Sequence, residues 1–138
     1  MSILIETERQ GALRQRITFT NVEDALYADV PESKGGEDGA PDPHDYFDVA
    51  LATCKALTVM MYARKKEMPL EGVSIRISRD DSRERDGHYR LDVSIGLVGE
   101  LSVQARDRLL EVADGCAIHK LMTSGTVEIA TSAHITTA

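Results

Sequence analysis

Fourteen of the 18 residues at positions 46–63 are apolar, and the exceptions, Asp48, Thr53, Lys55 and Thr58, are scattered rather than lined up on one side. A helix of this kind has to be buried nearly all round. Its length approaches a membrane span, but Asp48 and Lys55 lie inside it, and each costs roughly 2.5 to 3.5 kcal/mol at a bilayer centre. The segment therefore reads as an internal helix of a globular body. Asp42 or His44, together with Asp45, supplies polar groups at its start. Arg64, Lys65 and Lys66 suit the negative end of its dipole, and Pro69 stops it, which predicts a helix from residue 43 or 44 to about 67.

Alternating apolar residues surround that helix. Residues 2–7 and 12–20 read as strands joined by a turn at Gln10-Gly11, with Leu13, Gln15, Ile17 and Phe19 alternating with Arg14, Arg16 and Thr18. A further short strand is expected at 25–28, followed by a Gly-, Pro- and acid-rich surface loop at 31–43. Val73, Ile75 and Ile77, then Tyr89, Leu91, Val93, Ile95 and Leu97, mark an antiparallel hairpin turning at Asp86-Gly87. Ser102 is placed to cap a second helix that carries Leu109, Val112 and Ala113 and ends at Gly115. A short helix at 117–122 and a closing strand at 126–131 follow. The 138 residues suit one α+β domain, with antiparallel sheets around the long apolar helix. That helix is more apolar than one copy of so short a chain covers, so the sequence predicts burial against a second copy.

Charge narrows the function classes. Sixteen basic against 23 acidic residues leave a net charge of -7, a field that repels nucleic-acid phosphates and anionic lipid surfaces. Two cysteines are too few for a disulfide-stapled secreted scaffold, and Glu6 and Glu8 stand where a signal peptide needs a basic start and an apolar run. The expected setting is a reducing cytoplasm. Two cysteines and four dispersed histidines give no metal-ligand spacing.

The two thiols are either separate core fillers or a redox pair. Cys54 sits about ten residues inside the apolar helix, beyond reach of that helix's own dipole, so burial alone makes it inert. Reactivity would call for a cation from another segment, with Arg14 and Arg16 as candidates. Cys116 follows the helix break at Gly115, where free N–H groups favour a thiolate. His119, three residues on, is either a structural histidine or an acid-base partner. His44 is either a cap or a supporting group.

Two segments together carry a resemblance. Pro41-Asp42-Pro43-His44-Asp45-Tyr46-Phe47, running into Ala50-Leu51-Ala52-Thr53-Cys54-Lys55-Ala56-Leu57-Thr58, resembles the pre-helix loop and first cysteine helix of the OsmC/Ohr family of thiol peroxidases. Leu109-Leu110-Glu111-Val112-Ala113-Asp114-Gly115-Cys116-Ala117-Ile118-His119-Lys120 resembles its second cysteine segment. The resemblance implies an intertwined homodimer with sites at the subunit interface and no cofactor. Cys54 would attack an organic hydroperoxide, Cys116 would close a disulfide with the resulting sulfenic acid, and an external dithiol would reduce it. An arginine, Arg16 first or Arg14 second, would hold Cys54 ionised. Peroxidase members carry a Glu ten residues before the first cysteine. Here His44 occupies that position, with Asp45 beside it. The alternative is a relative that binds a small lipophilic molecule in the same pocket, lined by Met60, Met61 and Tyr62.

Overall fold

The computed structural model describes residues 2–135. Five strands and three α-helices follow in the order β1 (Ile3–Thr7), β2 (Gln15–Phe19), β3 (Val22–Ala28), α1 (Pro43–Lys65), β4 (Gly72–Asp80), β5 (Arg90–Val98), α2 (Val103–Asp114) and α3 (Ala117–Ser124). The α+β class is as the sequence predicts. The chain divides into two compact units, Met1–Ala52 with Ile77–Val93, and Thr53–Arg76 with Ser94–Ala138.

In the first unit β1, β2 and β3 form an antiparallel sheet. Ile17 faces Ile5 on one side and Leu26 on the other, while Arg16 stands opposite Glu6 and Tyr27. Cross-strand pairing thus matches apolar with apolar and base with acid. The 31–43 loop is tied down by buried Asp29, whose carboxylate accepts the N–H groups of Val30 (2.8 Å) and Glu37 (3.0 Å). Helix α1 begins with a reciprocal cap: Asp45 N–H donates to the Asp42 carboxylate at 3.0 Å, and Asp42 N–H to that of Asp45 at 2.9 Å. The tip between β4 and β5 is longer than the Asp86-Gly87 dipeptide suggests, because a 3-10 turn at Glu84–Asp86 precedes Gly87, which takes the left-handed conformation at φ 79°.

In the second unit Val59 and Ala63 of α1 pack with Leu109 and Ala113 of α2, and Met68, Leu70, Val73, Ile95, Leu97 and Leu101 close around them. Leu109 is wholly buried and Val59 nearly so, each contributing roughly 1.5–3 kcal/mol. The α2 cap is as predicted: the Ser102 hydroxyl accepts Ala105 N–H at 3.0 Å. Gly99 lets the chain pass Pro69 closely, since a Cβ there would lie 2.1 Å from the Pro69 carbonyl oxygen.

Two differences from the sequence reading stand out. β3 starts at Val22, three residues earlier than expected. The closing strand expected at 126–131 does not form: those residues are exposed, with Val127 at 62% and Ile129 at 83%. Alternation is necessary for a strand but not sufficient, because a strand also needs a neighbouring edge to satisfy its backbone. Helix α1 buries Asp48, Leu51, Lys55, Val59 and Ala63, while Val49, Leu57 and Met61 form an exposed apolar stripe on it. Among the described residues, no helix is long and apolar enough to cross a membrane.

Candidate active site

Both cysteines are free thiols, and the second unit brings them together. Helix α2 ends at Gly115, and the next residue, Cys116, is the N-cap of α3. Its sulfur accepts His119 N–H at 3.4 Å. A helix start leaves N–H groups without internal partners, and here those of Ile118 and Ala117 reach the sulfur of Cys54. Burial pushes the Cys54 thiol up, but hydrogen bonds from Ile118 N–H, the Cys116 thiol, the Thr58 hydroxyl and Ala117 N–H outweigh it, so its pKa lies below the ordinary thiol value.

This corrects the sequence reading in two respects. The α3 start favours a thiolate at Cys54 and not at Cys116, whose pKa is raised by burial, by its hydrogen bond to Cys54 and by the Cys54 charge, against the lowering effects of His119 N–H and the Lys55 charge. Nor does the lowering at Cys54 require a cation, because neutral donors already supply it. The dipole that matters is that of a helix 62 residues downstream, and no sequence spacing could show where its first turn points.

Lys55 is 3% exposed, and its ammonium donates to the Ala113 carbonyl (3.0 Å) and His119 Nδ1 (2.8 Å), with the Asp114 carboxylate at 3.6 Å. His119 is thus placed beside the second cysteine by backbone and side chain alike. The remaining predicted residues lie in the first unit with local partners. Arg14 Nε stands 3.0 Å from Glu8 and its guanidinium covers the Tyr27 ring at 4.4 Å, whereas Arg16 lies 4.0 Å from Glu6. His44 Nε2 meets Glu84 at 2.6 Å and its ring stacks on Tyr89.

Asp45 joins a network that the sequence did not reveal. Arg79 donates to Asp45 (2.9 Å) and to buried Asp48 (2.7 Å), and the Tyr89 hydroxyl donates to Asp48 at 2.8 Å. Asp45 is held below the usual carboxylate range by the backbone N–H of Asp42, with Arg79 adding to it. Arg79 is held more firmly protonated, by Asp48 first and Asp45 second. Burial and then Asp48 push the Tyr89 phenol up to about 12. The available signal was a charged residue inside an apolar helix: Asp48 and Lys55 both proved to be buried and paired. Nearby, Pro43, His44, Phe47, Glu84, Gly87 and Tyr89 line an open cavity of about 400 Å³.

A family model described as OsmC-like protein matches residues 35–132. Among solved structures, one from Psychrobacter arcticus 273-4, provisionally described as an osmotic stress induced and detoxification response protein, is 19% identical with a TM-score of 0.76, covering 91% of this chain and 90% of that one. An organic hydroperoxide resistance protein from Legionella pneumophila is 20% identical with a TM-score of 0.62, covering 90% and 89%. The organic hydroperoxide resistance protein OhrB of Bacillus subtilis is 15% identical with a TM-score of 0.59, covering 89% and 90%. At these identities the likeness is one of fold. A search of curated proteins gives no match.

Proposed function

The chain belongs to the OsmC-like protein family, and from that premise we propose that it is a thiol-dependent peroxidase that reduces organic hydroperoxides. The observation that carries this reading is the hydrogen-bonded thiol pair, in which Cys54 is the more acidic member and the Cys116 thiol donates to it. The Cys54 thiolate attacks the terminal oxygen of the hydroperoxide. The O–O bond breaks, the alkoxide takes a proton and leaves as an alcohol, and Cys54 becomes a sulfenic acid. Cys116 then attacks the Cys54 sulfur, the S–O bond breaks, hydroxide leaves as water, and a disulfide forms. An external dithiol returns both thiols.

An arginine that steadies the departing oxygen is part of the reading, with Arg16 ahead of Arg14. Arg14 is engaged with Glu8 and Arg16 with Glu6, so recruiting either one entails loosening its ion pair, which for the exposed Arg16–Glu6 pair is worth about 0–1 kcal/mol. A homodimer is supported by the stripe of Val49, Leu57 and Met61 on α1, the last two 61% and 63% exposed. Light scattering should give twice the chain mass for the native protein and the single mass for Met61→Glu.

The test of the peroxidase reading is dithiol-dependent consumption of cumene hydroperoxide. Cys54→Ser should abolish it. Cys116→Ser should permit one oxidation event and then stall, with Cys54 over-oxidised. Full turnover by Cys54→Ser overturns the reading. The alternative of a lipophilic ligand is supported at a different place from the pocket expected beside Met60, Met61 and Tyr62, namely the first-unit cavity with its apolar walls Pro43, Phe47 and Tyr89. Native mass spectrometry showing a retained acyl or aromatic molecule, together with negligible turnover, would select it.

A further inference from the structure

Lys55 is a buried ammonium for which the two-cysteine cycle assigns no task. Its side chain is 4% exposed whereas that of Asp114 is 79% exposed, so its ion pair is lopsided: the cation is stripped of water and the anion is not. An apolar side chain of similar length would suit this position in α1 at lower cost. The contacts it makes all concern the segment that carries Cys116. The Ala113 carbonyl that accepts from Lys55 also accepts Cys116 N–H at 3.3 Å. His119, whose Nδ1 meets Lys55, gives its backbone N–H to the Cys116 sulfur. An ammonium can only donate, so His119 Nδ1 is the accepting partner in this contact. Lys55 thereby grips the chain on both sides of Cys116.

We propose that Lys55 is the positioning residue of the resolving half-reaction: it clamps residues 113–119 around Cys116 and supplies the positive charge against which the Cys116 thiolate forms. This rests on the peroxidase reading above. The direction of the charge effect agrees with the geometry, because Lys55 lowers the Cys116 thiol against burial and the Cys54 charge. In the step it serves, Cys116 gives up its proton, the thiolate attacks the Cys54 sulfenic sulfur, and the hydroxide displaced from Cys54 takes up a proton to leave as water. The groups facing the ammonium are Asp114 and the Ala113 carbonyl from α2 and His119 from α3, with Cys116 between the two helices.

The experiment is single-turnover oxidation of Lys55→Met by limiting cumene hydroperoxide. Sulfenic acid is trapped by dimedone, and disulfide formation is followed by quenched mass analysis across pH. Lys55→Gln replaces the Met variant if that one does not fold. Disulfide closure should slow more than sulfenic acid formation, which feels Lys55 only through the Ala117 and Ile118 amides of the clamped segment. A one-unit rise in the Cys116 pKa cuts its thiolate fraction about tenfold, and greater intrinsic nucleophilicity returns about threefold, leaving a net loss of roughly threefold per unit at neutral pH. The same compensation predicts that the two pH–rate curves cross, with the variant equal or faster at high pH. Closure at the native rate across pH overturns the role of Lys55, and slowing by the same factor at every pH overturns the charge it is said to supply. Absence of both Cys54 sulfenic acid and the Cys54–Cys116 disulfide after peroxide is added to the native protein instead overturns the peroxidase reading beneath it.

Discussion

Replacing Thr58 by Val tests the origin of Cys54 acidity. Thr58 lies one helical turn after Cys54, and its hydroxyl is one of four donors that lower the thiol. Valine keeps the shape and removes the donor. A hydrogen bond to a charged group is worth about 1.5–3 kcal/mol, and the diffuse charge of sulfur argues for the lower end. About 1.5 kcal/mol corresponds to roughly one pKa unit, so below both midpoints the thiolate fraction of the variant should fall about tenfold. The assay is the rate of iodoacetamide alkylation at Cys54, resolved by peptide mass and measured against pH. The midpoint should move up in Thr58→Val and return in Thr58→Ser. An unmoved midpoint in the Val variant would refute the claim that neutral donors set the acidity. Stability provides an independent check of sign. Because the folded pKa lies below that of the free thiol, ionisation favours the folded chain. This contribution is complete above the unfolded value and is lost as pH falls through the folded one. Thr58→Val should flatten that dependence.

The remaining predictions concern the framework. Leu109→Ala, at a wholly buried position, should lower unfolding free energy by about 2–5 kcal/mol in urea titration. Asp48→Asn should cost about 1.5–3 kcal/mol by the same measure, since it weakens charge-assisted bonds from Arg79 and Tyr89. In ultraviolet titration one phenol should ionise near pH 12, and Tyr89→Phe should remove that late step. The stability held by the neutral Tyr89 phenol is complete below the ordinary tyrosine value and is lost as pH rises toward 12.

Elements governed by local chemistry were legible. The α1 boundaries followed from Asp42, Asp45 and Pro69, the α2 boundaries from Ser102 and Gly115, and the β4–β5 pair from strict alternation. Residues 126–131 alternate just as clearly but pair with nothing among the described residues, because pairing depends on an edge elsewhere in space. The thiols followed the same division. That Cys116 begins a helix could be read from Gly115, but the destination of that helix's free N–H groups is a tertiary fact. Likewise Asp48 and Lys55 were visible as anomalies in an apolar run, while Arg79, Tyr89 and His119, which explain them, arrive from distant segments.

The sulfur that fastens the first turn of α3 is also the one that the proposed cycle must move. Any bond made at Cys116, whether to Cys54 or to an alkylating reagent, competes with its hold on His119 N–H. Loosening that turn displaces the Ala117 and Ile118 amides that keep Cys54 ionised. The two sulfurs are therefore not independent reagents: blocking the hidden one dulls the other, even with Cys54 itself untouched.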